Sequence, residues 1–594
     1  MKLSYIKSIA LAAVVGMSLT SCSDFLDRPT EDSYVGDNYY QTDDQCYAGV
    51  NYLYNSPWYD FLRGYFEVGE VLSGNLYMGS SAYLTFTLNG TDSELVSMSN
   101  SLWSVVGHCN TVYNYLKKSP ASESAKNDCM GQCLTLKALA YFYLVRAFGE
   151  IPIVHDNTEA LKGDYNSAQK VKKADAYEYI IMTLEKAMEL LPKTAKDAGR
   201  VDYYCAEGLL AKVYLTKAGV SGSLNQDDLN KAAQYAKDVI DNSGRQLLPN
   251  YSDNFRLANN HNEESLIAWQ WSCEKANYTA QNCLQSDLAW SGFDEWNCWG
   301  DWRGISFDLQ EAFGIKVMEQ QPDTWINHVD SRLKATMMLP GFTYEYFWQD
   351  HDLPDGSGNK GFDFLHFIYD KDYNSTAPGE MRSPTGASNV KHLHGDNYDH
   401  KAGIGYAPSG QMQSSLATHV LRLSDIYLVY AEAKLNGPGS STTDNTAIDA
   451  FYKVRNRAIK GYSRPSSITW EDVWKERRLE LAMEGDRWYD FVRVSYYNPD
   501  FCVTELQNQN RVSAYGLDAL AKEYYTTGNW TVTEGKQGFS TETPINPSAL
   551  MKEDPDSHKS YFYIPMPTKD VSSNPNMASN VDGVHVDVRS EYSY

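Results

Sequence analysis

A run of apolar side chains at steps of three and four, repeated along the chain and closed each time by glycine or proline, decides what this sequence can fold into. Leu134, Ala138, Tyr141, Val145 and Phe148 fall on one helical face; Gly149 then ends the helix and Pro152 prevents a restart. Tyr177, Ile181, Leu184, Met188 and Leu191 repeat the pattern before Pro192. Ala206, Leu210 and Val213 do so before Gly219, and Leu229, Ala232, Ala236 and Val239 before Gly244. Far downstream the pattern returns. Leu421, Leu428 and Leu435 precede Gly437, a helix follows over 447–459, and a third carries Trp474, Leu481 and Trp488. Such helices bury their stripes only against one another, so the spacing predicts a mainly α scaffold of tetratricopeptide-like helical hairpins. The strict tetratricopeptide consensus is absent, and periodicity supports the architecture alone.

The scaffold is expected over about 93–243 and 416–495. Between them lies a loop-rich insert over about 244–415, too long to be structureless in a compact protein. It holds eight of the 14 tryptophans: Trp269, Trp271, Trp290, Trp296, Trp299, Trp302, Trp325 and Trp348. Residues 496–594 read as irregular structure wrapped on the helices. Because helical blocks flank the insert, one intertwined domain over 22–594 is expected.

The first 21 residues read as an export signal, with Lys2 and Lys7 ahead of a short apolar stretch from Ile9 to Leu19. Leu19-Thr20-Ser21-Cys22 resembles the bacterial lipobox, in which the cysteine thiol is acylated and becomes the new N-terminus. Beyond Cys22 no apolar run is long enough for a second crossing, so the expectation is a globule tethered to a membrane by acyl chains.

Charge narrows the ligands. The chain carries 76 acidic against 52 basic side chains, net −24, which repels phosphate backbones and leaves nucleic acid an unsuitable partner. Neutral ligands suit it, and 44 tyrosines with 14 tryptophans supply flat amphipathic contact surface. The nine cysteines beyond Cys22 show no metal framework and read as small buried hydrophobes. His392, His394, Asp396, Asp399 and His400 approach a metallohydrolase pattern, but Asn397 stands where a ligand should be; the reading is a solvated polar loop. Asp350, Asp352 and Asp355 suggest a calcium loop, yet Pro354 and Gly361 break its register. No metal or other cofactor is expected.

The chain resembles the SusD/RagB family over nearly its whole length. The resemblance is carried by the post-lipobox start at 22–27, the helix and exit turn at 136–152, the string Arg422 to Ala433, the string Val454 to Ala458, the string Glu476 to Asp490, and Tyr563 to Pro567 with Asn574-Pro575. It implies a lipid-anchored protein on the outer face of the outer membrane in Bacteroidota. It further implies a partner, a SusC-like TonB-dependent outer-membrane transporter, and non-catalytic binding of an oligosaccharide, or of peptide in some relatives. Within the strings, Arg422 and Asp425, Arg477 and Glu480, and Glu484 and Arg487 each stand three apart, a spacing at which opposite charges meet and can tie helices together.

Sugars present an apolar C–H face and a rim of hydroxyls, which a protein meets with an indole or phenol ring and planar polar groups. The segment 288–304 has both in a glycine-rich, turn-forming context: Trp290, Asp294, Trp296, Asn297, Trp299, Trp302 and Arg303. In the early loop 74–86, Tyr77 and Tyr83 are the candidate rings. For any single ring, core packing is the competing reading. A rival function is a glycoside hydrolase using Asp294 or Glu295, whose separation from a second carboxylate the sequence does not give. No catalytic residue is assigned.

Overall fold

The computed structural model describes residues 39–158, 165–273, 278–294, 298–407, 414–541, 544–554 and 557–594. Cys22 and the segment 1–21 lie outside them. The first helical block comprises α1 (Ser93–Lys118), α2 (Glu123–Phe148), α3 (Lys173–Leu190), α4 (Tyr203–Lys217) and α5 (Gln226–Asn242). Side-chain caps start several of them. Asp92 accepts from Glu94 N and Leu95 N, Ser122 from Ala125 N, and Asn225 from Asp228 N, satisfying amides that the first turn leaves without partners. Each helix packs on the next.

The second block comprises α6 (Leu423–Ala433), α7 (Asn445–Ala458), α8 (Trp470–Leu481) and α9 (Arg487–Ser495). Helix α6 lies against α5, so the stack resumes where the insert interrupts it. The insert is pinched off at its base by an antiparallel pair, β2 (Ser265–Trp269) with β4 (Thr418–Arg422). The fold is mainly helical, as the periodicity predicts, and the buried apolar residues of the stack, the insert and the C-terminal region join one large cluster.

Three local expectations are corrected. Leu421 belongs to strand β4 rather than to the helix after it, which begins at Leu423. Trp474 and Leu481 share α8, but Trp488 sits on α9, because the chain breaks between them with Met483 at φ 63° and Gly485 at φ 71°. That break is used: a Cβ on Gly485 would stand 2.3 Å from the Tyr65 ring, and its N–H donates to Glu70 at 2.6 Å. The third concerns His392, His394, Asp399 and His400, which are buried and partnered rather than solvated. His392 Nε2 lies 2.6 Å from the Met483 carbonyl, His400 Nε2 lies 3.1 Å from Ser415 Oγ, and Asp399 accepts from Trp348 N at 2.6 Å. All nine described cysteines are buried and free, in keeping with their reading as small hydrophobes.

The charged strings tie helices together, though not at their three-residue spacing. Arg422 reaches Glu264 at 2.6 Å, Glu480 at 3.1 Å and Glu484 at 2.8 Å. Asp425 takes Lys212 and Arg477, each at 2.6 Å. Glu484 also accepts from Lys391 at 2.8 Å, while Arg487 lies over the Trp474 ring at 3.7 Å. The charges therefore bridge the two blocks and the insert. Although burial alone would raise their pKa values, Glu480 and Glu484 are both lowered to about 2 by the surrounding arginines and, for Glu484, Lys391. Removing one partner from such a network typically costs about 3–5 kcal/mol.

Candidate functional site

The two segments singled out by sequence meet. Strand β1 (Leu76–Met78), from the early loop, pairs antiparallel with β3 (Arg303–Ile305), from the insert, placing Tyr77 opposite Gly304 and Met78 opposite Arg303. Gly304 is required there: a Cβ would stand 2.2 Å from Thr385 Oγ1, so a larger residue would push the ribbon off its support. The pairing sets the half-buried Tyr77 and the turn Gly300–Trp302 on one small, firmly held ribbon.

Trp302 is the prominent ring, 45% exposed although it is among the largest side chains in the protein. Its orientation has a physical support. The Arg303 guanidinium lies 4.8 Å from the Trp302 ring centre and 4.9 Å from that of Phe66. Arg303 itself is buried and donates to the Asp287 carbonyl, and burial pulls its pKa below the usual arginine range. Beside it, burial pushes the Glu67 carboxyl up to about 8, with Glu94 adding to the shift. Asp301 accepts from Ser291 N at 2.6 Å and pairs with the part-exposed Arg382 at 2.8 Å, setting a charged hydrogen-bonding edge next to the indole.

Asp287, on the short helix Leu284–Leu288, joins this ribbon to a second group of rings. Its carboxylate accepts from Trp299 Nε1 at 2.8 Å, and Cys283 Sγ lies 3.9 Å away. Cys283 touches Tyr59, whose ring packs edge-on against Tyr278 at 5.3 Å. Tyr278 is 53% exposed, and Arg63, paired with Glu94 at 3.2 Å, is close enough to Asp287 to sense its charge. Tyr59, Tyr278, Arg63 and Arg382 carried no sequence signal, since nothing in their spacing relates them to 299–303.

The other anticipated residues divide. Tyr83 is 1% exposed, with its hydroxyl donating to Asp92 at 2.7 Å, and Trp290 is 2% exposed against Phe364. Neither offers a face to a ligand; both are core aromatics, the commoner fate of a large ring. Trp299 is half-buried. The Asp294 carboxylate is almost enclosed; it accepts from Gln285 Nε2 at 2.7 Å and stands 3.7 Å from His394 Nε2, a ring that burial keeps neutral. Trp296 and Asn297, with Glu295, lie outside the described residues. As for metals, Asp350, His351 and Asp396 bring ligand atoms within 4.8 Å of one another among the described residues. Asp396 is already in use there as the cap that accepts from Asp399 N. Among the described residues no helix is long and apolar enough to cross a membrane.

As a whole, the chain is similar to known proteins. A profile described as the SusD family matches residues 246–583, and one described as starch-binding, associating with the outer membrane, matches 70–215. A SusD-like protein of Bacteroides ovatus is 32% identical over 587 residues, covering 96% of each chain. A crystal structure described as containing a xylogluco-oligosaccharide superposes with TM-score 0.71 at 28% identity, covering 92% of this chain and 99% of its own. A SusD-like carbohydrate-binding protein of Bacteroides fragilis shares the fold, with TM-score 0.63 at 18% identity over 91% of this chain and 99% of its own.

Proposed function

The chain belongs to the SusD family, and on that premise we propose that it is a non-catalytic glycan-binding lipoprotein of the outer cell surface, which hands oligosaccharide to a SusC-like TonB-dependent transporter. The carrying observation is Trp302, an indole held half out of the protein with the Arg303 cation against it, on a ribbon that Gly304 lets pack closely on Thr385. A ring so placed stacks on the C–H face of a sugar, while Asp301, Arg382 and the Tyr77 hydroxyl meet its hydroxyls. Trp299, Tyr278 and Tyr59 extend the surface. Trp296 and Asn297 belong to the same segment and are proposed as its rim, whereas the enclosed Asp294 carboxylate holds the segment from within.

An open surface suits a polymer, which slides across it, better than a small metabolite, which needs a pocket enclosing most of its area. The net charge of −24 favours a neutral glycan. Acylation at Cys22 would hold the captured chain at the membrane, and the short tether raises its concentration at the transporter mouth. A relative that carries a xylogluco-oligosaccharide makes xyloglucan a ligand to try first.

The test is affinity electrophoresis of the mature chain through gels containing xyloglucan, starch or a neutral β-mannan. At least one should retard it, and Trp302→Ala should run through that gel with little delay. Retardation by none of them, or equal retardation of Trp302→Ala, would overturn the reading.

A further inference from the structure

We propose that a second carbohydrate-contact site lies in the cleft between the end of the helix Pro499–Gln507 and the hairpin strand Gly538–Phe539, so that one neutral polysaccharide chain is held both there and on the Trp302 ribbon. The proposal rests on the glycan-binding reading above and extends it to a place that no sequence motif marks. The cleft measures about 660 Å³, within the size range of ligand sites, and its walls include Gln507, Asn508, Asn510, Phe539 and Ile545.

Its chemistry is that of a sugar subsite. Side-chain amides carry a donor and an acceptor on one planar group and so can meet adjacent hydroxyls. Gln507 and Asn508 are exposed, and among the described residues their side chains make no hydrogen bond with the protein. Asn510 is oriented through Nδ2, which donates to Glu311 at 2.9 Å. Phe539 supplies the apolar face: it is 45% exposed, yet fixed by an edge-on contact with Phe307 at 4.9 Å. Arg511 adds no open charge, because its guanidinium is buried and donates to the carbonyls of Val71, Leu72 and Leu84. A neutral ligand with alternating apolar and hydroxyl surfaces fits these walls better than an ion does.

The cleft is also built onto the ribbon. Phe307, on which Phe539 rests, is five residues beyond Trp302, so their Cα atoms stand no more than about 18 Å apart. Ser306 N donates to the Asn75 carbonyl at 2.9 Å, Gln509 Nε2 to the Ser73 carbonyl at 2.9 Å, and Asn510 N to Asp308 at 3.0 Å. The loop that carries Tyr77 therefore anchors the cleft as well. Two rigidly related contacts on one polymer give a gain in affinity that a short oligosaccharide, reaching only one of them, cannot show.

Calorimetry separates the two. The mature chain, Phe539→Ala and Asn508→Ala would each be titrated with the polysaccharide that retards the wild type and with the shortest oligosaccharide cut from it that still binds. The expected result is a fivefold to tenfold loss of polymer affinity in Phe539→Ala, a smaller loss in Asn508→Ala, and unchanged affinity of both for the short oligosaccharide. Trp302→Ala should weaken both ligands. Asn508 is a surface side chain, so its variant remains informative should Phe539→Ala fail to fold. Polymer affinity equal to wild type in the folded variants overturns the cleft alone, whereas a wild-type chain that binds none of these glycans overturns the ribbon reading and the cleft with it.

Discussion

Arg422 and Trp302 show how differently the helical stack and the insert use large side chains. Arg422, a permanent cation, is 1% exposed and surrounded by the carboxylates of Glu264, Glu480 and Glu484. Trp302, a large and mostly apolar ring, is 45% exposed. This reverses the usual preference of each residue type. In the stack, buried charge holds helices from both blocks to the base of the insert, a role that demands complete pairing and tolerates no solvent. In the insert, an apolar ring is kept outside with a cation against it, a role that is useful only if something else covers the ring. Interior charge specifies how the pieces join, and exposed apolar surface is left for a ligand.

The strongest way to break that contrast is Arg422→Met. Leaving three buried carboxylates short of a partner should destabilise the protein by about 3–5 kcal/mol, read by denaturant or thermal unfolding. The wild type should itself lose stability as pH falls from about 4.5 towards 2, since Glu480 and Glu484 have folded values lowered to about 2 and must be protonated there. Arg422→Met should show a shallower acid dependence, while any folded fraction binds glycan normally; weakened binding at full folding would blur the division between regions.

Glu67, buried beside Arg303 under the ribbon, gives the opposite sign. Its carboxyl is raised to about 8, so the stability it allows is present below its unfolded value near 4.5 and is lost as pH climbs through 8. Glu67→Gln should raise the melting temperature relative to wild type at pH 9, by the equivalent of roughly 2 kcal/mol, and hardly at pH 4. An equal change at both pH values would show that the carboxyl does not titrate in that window.

Two smaller effects sharpen the surface side of the comparison. Trp302→Ala should weaken glycan binding about thirtyfold, or roughly 2 kcal/mol, with little change in unfolding temperature, because an exposed ring contributes little to the core. Tyr278→Ala, at the far end of the aromatic surface, should cost about threefold in affinity, or on the order of 0.6 kcal/mol, by the same titration. Should the order of these two variants reverse, the centre of the surface lies at Tyr278 and Tyr59.

Much of the scaffold was legible because a helix declares itself locally: the stripes at 134–148, 177–191 and 229–239 need only their own spacing to be recognised. The errors came where distant contacts intervened. Trp488 continues the period of α8, yet the turn at Met483 and Gly485 is held open by Tyr65 and Glu70, more than 400 residues earlier in the chain. The charges at 422, 425, 477, 480, 484 and 487 do tie helices together, but with partners other than their three-residue neighbours, because side chains that long choose among neighbours from several elements. The histidines at 392–400 look polar by composition and are buried because Met483, Ser415 and Tyr406 supply their hydrogen bonds.

By itself, the sequence determined the helical stack, the interruption in it and the aromatic wealth of the insert, since each depends on local period or composition. Only the tertiary structure decided which rings face water. Burial is a property of what arrives from elsewhere: Phe364 covers Trp290, whereas Trp302 stays 45% exposed among the described residues. The pairing of β1 with β3, which brings Tyr77 beside that ring, joins residues far apart in the chain, and no local spacing encodes it.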